Sequence, residues 1–350
     1  MHSIDRFIVP AIAPLANPEL EQRLQQQIDN KTKPPGSLGK LERLAIRLGL
    51  ILQSTTPRID QPQVLVFAAD HGLVEEGVSA FPAEVTPQMV HNFLQGGAAI
   101  NVFARQHRLA LHVVDAGVNA DFAPHPQLIE RKVRRGTRNA LHQPAMTPDE
   151  CRQALHAGMA LVRALPGNLL LVGEMGIGNT SAASLLLARL GALPVADCTG
   201  RGTGLDDHGL SHKTQVLQAV LARHATAQSP LAALAALGGL EIAMMAGALM
   251  QAASERRILL MDGFIAGVAL LVADQLAPGT RDYAVFGHAS AEPGHRHLLR
   301  LLDAEPLLDL DLRLGEGSGA ALAFPLLPSA CAVMEEMASF NDAGISGARS

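Results

Sequence analysis

The chain has 350 residues, of which 48% are hydrophobic and 17% charged, and its formal net charge is −5. This composition indicates a folded chain with a large core, and it excludes a disordered chain or one with a basic surface for nucleic acid. Aromatic residues make up 3% of the chain, with no Trp and a single Tyr, so stacking platforms for single-stranded nucleic acid are not expected either.

The first sixty residues predict two helices joined by a loop. Apolar residues have helical spacing in 18–28, and Asn17 is expected to cap that helix. The loop KTKPPGSLGK (31–40) follows, and residues 41–51 predict a second amphipathic helix. The N-terminus carries early charges and prolines and lacks the apolar segment of a secretion signal, so we expect a cytoplasmic protein.

From residue 61 the pattern changes to short apolar runs that end in polar or glycine-rich turns. Five runs are interpreted as strands: VLVFAAD (64–70), LHVVDAG (111–117), LLLVGEMG (169–176), ILLMDG (258–263) and DYAVFGH (282–288). Helical spacing occurs between them, at 182–191, 208–225, 239–254 and 264–276. This alternation predicts an α/β fold with a mostly parallel sheet wrapped by helices. Ligands of such sheets bind at the carboxyl ends of the strands, so the functional site is expected there.

The end of the chain is predicted to be helical again over 320–340 and to pack with the N-terminal helices. We therefore expect a large α/β domain of residues 61–319 and a small, discontinuous helical domain of residues 1–60 plus 320–350. The longest apolar run considered, 263–273, is too short to span a membrane. The three cysteines lie far apart, which is typical of reduced thiols in a cytosolic protein.

Two glycine-rich loops are candidates for binding a small phosphate. In GEMGIGNTS (173–181), Gly176 and Gly178 let backbone N–H groups approach a ligand closely. Thr180 and Ser181 are expected to cap the helix that follows, whose positive end suits a phosphate.

The second loop is CTGRGTGLDD (198–207), which contains Arg201 and Gly202 and is followed by Lys213. Alternating glycines beside two cations are typical of an anion cradle. Either glycine-rich loop can also be an ordinary structural turn.

Acidic and imidazole side chains supply further candidates. Glu316 lies between glycines in LGEGSG, and Glu174 lies in the first glycine-rich loop; each is either a catalytic acid or a solvated charge. Asp70 and His71, with later histidines, raise the possibility of a metal site, but no ligand spacing completes it, and the pair is expected at the rim of the site. The string GHRH (294–297) is interpreted as the start of a helix with exposed imidazoles.

Taken together, these segments resemble the nicotinate-nucleotide:dimethylbenzimidazole phosphoribosyltransferase family almost from end to end. The strings that carry the resemblance are KPPGSLGKLE (33–42), FAADHGLVEEGVSAFP (67–82), QGGAAIN (95–101), GEMGIGNTS (173–181), CTGRGTGLDD (198–207), MDGFIAG (261–267) and LRLGEGSGA (312–320). The resemblance implies a Rossmann-like large domain, a helical domain from both termini, a homodimer, and no metal or redox cofactor. It also implies that Glu316 is the catalytic base and that Glu174 lies in the active site.

Two groups of binding residues are expected, the first from the resemblance and the second from the glycine-rich loops and the chemistry of the transfer. The pocket for the accepting base maps onto Ala80, Phe81, Gln88, Met175 and Leu314. The phosphate, ribose or nicotinate of the donor is assigned to Gly176, Gly178, Asn179, Thr180, Ser181, Arg201, Gly202, Lys213, Asp262 and Ser290.

The chemistry of this transfer fits two carboxylates. Nicotinate leaves as a ring with a neutral nitrogen and needs no general acid, while a nearby charge such as that of Glu174 stabilises the oxocarbenium-like transition state. The attacking benzimidazole must lose its N–H proton, and Glu316 is expected to accept it. Two alternatives remain open: a non-catalytic module that binds nucleotides or azoles, and a metal-dependent hydrolase that uses Asp70, His71 and the late histidines.

Overall fold

The computed structural model describes residues 8–202 and 204–345. Six strands in these ranges form a parallel sheet in the order β3-β2-β1-β4-β5-β6, and two short strands pair beside it. Their bounds are β1 (Gln63–Ala69), β2 (Ala110–Gly117), β3 (Leu128–Glu130), β4 (Leu169–Met175), β5 (Ile258–Met261), β6 (Ala284–Phe286), β7 (His288–Ala289) and β8 (Leu308–Asp309).

Helices separate most of these strands along the chain. In the described residues they are α1 (Pro18–Asp29), α2 (Lys40–Leu52), α3 (Val85–Leu94), α4 (Ala99–His107), α5 (Pro148–Ala164), α6 (Asn179–Leu190), α7 (Val195–Cys198), α8 (Asp207–Arg223), α9 (Pro230–Leu237), α10 (Leu240–Ser254), α11 (Phe264–Leu276), α12 (Pro293–Leu301), α13 (Ser318–Ala323), α14 (Leu326–Glu336) and α15 (Phe340–Ala343). Short 3₁₀ turns occupy Gly72–Glu76 and Thr280–Tyr283.

The predicted α/β fold is confirmed, because all five predicted strands are present and parallel. Their order is that of a doubly wound Rossmann-like sheet, in which the direction of winding reverses between β1 and β4. That reversal opens a crevice at the carboxyl ends of the two strands. In it, Glu174 of β4 lies beside Phe67 of β1.

The centre of the sheet and helix α10 behind it are buried on all sides. All seven residues of β1 are buried, and so is every residue of α10 from Leu240 to Ala253. α10 crosses α5 at very short range: a Cβ built on Gly158 would lie 1.9 Å from the Met244 carbonyl oxygen, and one on Gly247 would lie 2.0 Å from that of Leu155. Glycine at both positions therefore permits the helices to pack backbone against backbone.

Helices from the two ends of the chain pack together, with α1 and α2 against α14. Asn17 caps α1 as predicted, since its side chain accepts the N–H of Leu20 at 3.1 Å. The 31–40 loop is fixed by a buried ion pair, in which Lys33 Nζ lies 2.8 Å from Glu42 Oε1. These contacts agree with a helical unit built from both termini, and the division into residues 61–319 and 1–60 plus 320–350 stays a prediction.

One helical stretch is apolar over more residues than the 263–273 run identified from the sequence. Residues Ser318–Glu336 are long and apolar enough to cross a membrane, but 56% of this stretch is buried inside the structure. It comprises α13 and α14, whose buried face includes Leu327 and Met334. Burial of this kind is expected for a core helix, which passes the same test of length and composition. The cysteines Cys151, Cys198 and Cys331 are free thiols and all are buried.

Candidate active site

A cavity of about 650 Å³ lies at the carboxyl edge of the sheet, where the site was predicted. We call it the central cavity. Eleven of the predicted site residues line it: Phe81, Glu174, Met175, Gly176, Asn179, Thr180, Gly202, Asp262, Ser290, Leu314 and Glu316. Gly178, Ser181, Arg201, Lys213, Ala80 and Gln88 are not among the lining residues.

Three buried acids from different parts of the chain face the central cavity. Glu174 lies near the end of β4, Asp262 follows β5, and Glu316 precedes α13; each is less than a tenth exposed. Burial raises the pKa of Glu174 to about 8, with further contributions from Asp262, Glu241 and Glu316 that exceed the opposing hydrogen bond from Asn179. Burial also raises the pKa of Asp262 and that of Glu316. Glu174 is therefore poised to exchange a proton near neutral pH, and a positive charge bound beside the three acids would favour their ionised forms.

Glu316 is held in an unusual backbone conformation. Its φ is +64°, between Gly315 at +85° and Gly317 at +89°, and a left-handed backbone is unfavourable for a residue with a Cβ. Its Oε2 accepts the N–H of Ile100 at 3.4 Å. A Cβ built on Gly315 would lie 2.4 Å from Glu174 Oε1, so only glycine permits this approach. We refer to residues 315–319 as the Glu316 loop.

The Glu316 loop is tied to β5 through Asp262. Asp262 Oδ1 accepts the N–H of Ala320 at 3.0 Å, and the backbone N–H groups of Gly317 and Gly319 also bond to this carboxylate. His288 Nε2 lies 3.6 Å from Asp262 Oδ1. Asp262 is therefore occupied on one side by the loop that carries Glu316.

Residues 176–179, here the Gly176 loop, connect β4 to α6. Helix α6 begins at Asn179 with Gly178 as its N-cap residue, at φ +92°. The prediction that Thr180 and Ser181 cap this helix is therefore wrong, because both lie inside its first turn. The Thr180 hydroxyl instead accepts a hydrogen bond from Lys213 Nζ at 3.1 Å. Ser181 is fully buried beneath the loop.

A hydrogen-bonded chain supports the Gly176 loop from below. The N–H of Ile177 donates to Thr86 Oγ1 at 3.0 Å, and Thr86 in turn bonds to the Asp70 carboxylate. Asp70 Oδ2 also accepts the N–H of Asn119 at 2.7 Å. Since Thr86 belongs to α3, this chain joins the loop to that helix.

His71 does not lie at the rim of the site as predicted. It is buried, and its Nε2 lies 2.8 Å from Glu241 Oε1. A Cβ built on Gly178 would lie 3.3 Å from His71 Cβ, which places the imidazole directly under the Gly176 loop. Neither Asp70 nor His71 lines the central cavity. Among residues 8–202 and 204–345, no group of three or more His, Cys, Asp or Glu is arranged to hold a metal ion.

The second glycine-rich loop folds against the first through Lys213. The ammonium of Lys213 is fully buried and donates to the Gly200 carbonyl at 3.3 Å as well as to Thr180. Burial lowers the pKa of Lys213 to about 8, partly opposed by Glu292. A Cβ built on Gly202 would lie 3.5 Å from Lys213 Nζ, so the cation is close to the cavity wall.

Arg201 does not line the central cavity. Its guanidinium pairs with Asp207 and donates to the Leu205 carbonyl, both close to it in the chain. Its predicted role in binding the donor has no support from this arrangement.

Apolar side chains form the opposite wall of the central cavity. Phe81 is 47% exposed and Leu314 is 59% exposed, so neither belongs to the core. Met175 and Met89 also line this cavity and are partly buried. Exposed apolar side chains beside a concave surface are typical of a binding site for a flat apolar ligand. Neither Ala80, which is exposed, nor Gln88 lines the cavity in this structure.

Several lining residues were not predicted from the sequence: Val85, Ile177, Gly263, Phe264, Ile265, Ala266, His288, Glu292, Asp311, Leu312 and Arg313. Phe264 to Ala266 form the first turn of α11, directly after a predicted strand, so their position could have been found. Asp311 to Arg313 follow β8, which has two residues and no apolar pattern.

The predicted helix start at 294–297 is correct, but the imidazole of His295 is not exposed. His295 is 1% exposed, and its Nδ1 accepts the backbone N–H of Ser290 at 2.8 Å. Burial lowers the pKa of His295 to about 4, with His288 adding to this effect. A neutral His295 therefore fixes the backbone of Ser290 at the cavity.

Comparison with known proteins identifies the family. A phosphoribosyltransferase family model matches residues 13–345. The nicotinate-nucleotide–dimethylbenzimidazole phosphoribosyltransferase of Variovorax paradoxus is 59% identical over 338 residues, covering 97% of each chain. The protein of the same name from Cupriavidus necator is 58% identical over 342 residues, covering 97% of this chain and 99% of its own.

Solved structures agree with the sequence matches. The crystal structure of CobT from Thermus thermophilus matches with a TM-score of 0.91 at 47% identity, covering 94% of this chain and 99% of that one. A second crystal structure from the same organism, of the nicotinate-nucleotide–dimethylbenzimidazole phosphoribosyltransferase, has a TM-score of 0.90 at 46% identity and covers 95% of this chain and all of the other. The chain therefore belongs to the nicotinate-nucleotide–dimethylbenzimidazole phosphoribosyltransferase family.

Proposed function

We propose that this protein transfers ribose 5-phosphate from nicotinate mononucleotide to 5,6-dimethylbenzimidazole. The products are α-ribazole 5′-phosphate and nicotinate, and the reaction belongs to the assembly of the lower nucleotide loop of cobalamin. The names of the relatives support these substrates. The observation in this chain that carries the proposal is one cavity that joins two buried carboxylates, Glu174 and Glu316, to an apolar wall and a glycine-rich loop.

The donor phosphate is assigned to the Gly176 loop and Gly202. The Gly176 loop and the 198–207 loop that contains Gly202 both allow backbone N–H groups to approach a phosphate closely. The start of α6 adds the positive end of a helix. Lys213 supplies a positive charge through Thr180, which its ammonium contacts directly. Because Lys213 is buried, its charge acts on the bound phosphate with little screening by water.

Glu174 acts on the donor ribose. Cleavage of the bond to the pyridinium nitrogen leaves positive charge on the sugar, and a carboxylate beside that charge lowers the barrier. With a pKa of about 8, Glu174 is mostly protonated in the free protein at neutral pH. The pyridinium charge of the donor favours the ionised form, so binding of nicotinate mononucleotide is expected to release this proton.

Glu316 acts on the acceptor. As one benzimidazole nitrogen bonds to the ribose carbon, the N–H on the other nitrogen becomes acidic, and Glu316 accepts its proton. General-base catalysis of this kind is worth roughly 10²–10⁴ in rate. Its raised pKa, caused mainly by burial, makes it a stronger base than an exposed Glu.

The two substrates are expected to approach along one line. The acceptor stacks on the apolar wall of Phe81, Met175 and Leu314, and the donor lies on the Gly176 loop. Attack from the face opposite nicotinate converts the β-nucleotide into an α-riboside phosphate. Holding the rings in line contributes to the rate because it removes the entropy cost of the encounter.

The resemblance also implies a homodimer and no metal or redox cofactor, and the widely spaced cysteines favour a cytoplasmic location. The homodimer is tested by light scattering of the protein as it elutes from a sizing column. A mass near 74 kDa, about twice the 36.9 kDa of one chain, is expected.

The proposal is tested by incubating the protein with nicotinate mononucleotide and dimethylbenzimidazole, with and without EDTA, and by measuring both products. We expect equal amounts of α-ribazole 5′-phosphate and nicotinate, unaffected by EDTA, and neither product when the azole is left out. Nucleotide binding without turnover on several benzimidazoles would instead favour the non-catalytic binding module. Release of ribose 5-phosphate without azole, stopped by EDTA, would favour the metal-dependent hydrolase.

A further inference from the structure

We propose that Asp262 is a positioning residue, which fixes the Glu316 loop and does not act by binding ribose or nicotinate. This inference rests on the proposed function, since it assigns the role of Asp262 in the reaction for which Glu316 is the base. It replaces the expectation that Asp262 binds the donor.

The Glu316 loop converges on the carboxylate of Asp262. The N–H groups of Gly317, Gly319 and Ala320 all bond to Asp262, and the bond from Ala320 measures 3.0 Å. Successive backbone N–H groups that point to one spot form an anion-binding concavity. Here the anion is supplied by the protein, from a side chain that is 3% exposed.

The backbone of this loop needs such an anchor. Residues 315, 316 and 317 all have positive φ, and Glu316 carries a Cβ that disfavours this conformation. A left-handed backbone at a residue other than glycine is costly and persists only where the surroundings enforce it. The first bond to Asp262 comes from Gly317, the residue after Glu316. These bonds are therefore placed to enforce the left-handed backbone of Glu316.

Close packing against the segment that follows β6 confines the anchored loop. A Cβ built on Gly287 would lie 2.8 Å from the Cα of Ala320, and one on Gly319 would lie 2.0 Å from His288 Cδ2. Gly287 and the ring of His288, both in the chain after β6, therefore lie directly against this stretch of backbone. Because Asp262 bonds to the same stretch of backbone, it holds the Glu316 loop in this position.

Asp262 also acts on Glu316 through its charge. The titratable groups around Asp262 are His288, which lies 3.6 Å away, and the acids Glu174 and Glu316. The negative charge of Asp262 disfavours ionisation of Glu316. Removing this charge while keeping the hydrogen bonds should therefore let Glu316 ionise at lower pH.

The test compares Asp262→Asn, which keeps an oxygen that accepts the backbone N–H groups, with Asp262→Ala, which does not. Asp309→Asn, on the exposed end of β8, is the matched control. We expect Asp262→Ala to lower kcat at least ~100-fold, in the range lost with a general base, while the KM for nicotinate mononucleotide changes less than about threefold. Asp262→Asn should keep roughly a tenth or more of the wild-type kcat, and the acidic limb of its pH–rate profile should move to lower pH.

Amide hydrogen exchange gives a readout that does not depend on turnover. Peptides covering residues 315–320 should exchange faster in Asp262→Ala and at the wild-type rate in Asp262→Asn and Asp309→Asn. A wild-type protein without transferase activity would overturn the proposed function, while the exchange result still decides whether Asp262 anchors the loop. Unchanged exchange in Asp262→Ala, or a raised donor KM with unchanged kcat, would overturn the positioning role.

Discussion

The Cα of Gly173 lies directly against the backbone of Glu316: a Cβ built on Gly173 would come within 2.1 Å of the Glu316 carbonyl oxygen. Gly173 belongs to β4 and immediately precedes Glu174. The strand that carries one acid therefore touches the loop that carries the other, with no side chain between them. Their carboxylates are fixed relative to each other by backbone contact, which suits a reaction in which one acts on the donor and the other on the acceptor.

Replacing Glu174 by Gln should stabilise the protein and slow the reaction. The folded protein holds the Glu174 proton up to a pKa of about 8, whereas the unfolded chain releases it near the ordinary value of 4.5. Between these values the folded state binds more protons, so the wild type loses stability as pH rises. The Tm advantage of Glu174→Gln should accordingly grow from about pH 6 to about pH 9, while kcat falls roughly tenfold or more. An advantage that is equal at both pH values would contradict the raised pKa.

Lys213→Met should weaken recognition of the donor phosphate specifically. A hydrogen bond involving a charged group contributes roughly 1.5–3 kcal/mol, so the KM for nicotinate mononucleotide should rise about tenfold or more. Nicotinate riboside, which lacks the phosphate, is the matched control substrate. Its kcat/KM should be the same for the wild type and for Lys213→Met. If both donors are affected equally, Lys213 does not act on the phosphate.

Thr86→Val removes the hydroxyl that accepts the Ile177 N–H at 3.0 Å while it keeps the shape of the side chain. An unpaired buried N–H costs about 1–3 kcal/mol, and the Gly176 loop should become less well fixed. We expect a lower Tm and a higher KM for nicotinate mononucleotide. Thr86→Ser keeps the hydroxyl and should behave like the wild type. A Val variant with wild-type KM would show that the loop does not need this support.

Phe81→Ala and Leu314→Ala should impair binding of the azole and leave the fold intact. Both side chains are about half exposed or more, so their loss removes little from the core. Fully burying such a side chain is worth about 1.5–3 kcal/mol, and about half of each remains to be covered by the ligand, so the KM for dimethylbenzimidazole should rise roughly threefold to tenfold. Val102→Ala, at an equally exposed apolar residue outside the central cavity, is the control. A change in the KM for the donor instead would contradict the assignment of this wall.

The fold could be predicted where the sequence carries long apolar runs. β1 and β4 have seven buried or nearly buried residues each, and their parallel pairing follows from the helices between them. β3, β7 and β8 have two or three residues, too few for any periodic pattern. The cavity-lining residues that follow β8, Asp311 to Arg313, could not be predicted for this reason.

The site could be predicted in outline from its glycine-rich strings, but its long-range contacts could not. His71 pairs with Glu241 across 170 residues, and no local pattern indicates such a contact. Thr180 has the composition of a cap, yet Gly178 with its positive φ takes the cap position and α6 begins before Thr180. Asp262 follows a predicted strand, but no local pattern indicates that backbone N–H groups near Glu316 bond to its carboxylate.

The most direct test of the account is kcat of Glu316→Gln at saturating nicotinate mononucleotide and dimethylbenzimidazole, beside the wild type. Gln keeps the size of the side chain and an oxygen that can accept the Ile100 N–H, but it cannot accept the azole proton. We predict a loss of roughly 10²–10⁴ in kcat, the range of general-base catalysis, with an unchanged Tm or a higher one and unchanged KM for the donor. A variant that retains more than about a tenth of the wild-type kcat would contradict the assignment of Glu316 as the base.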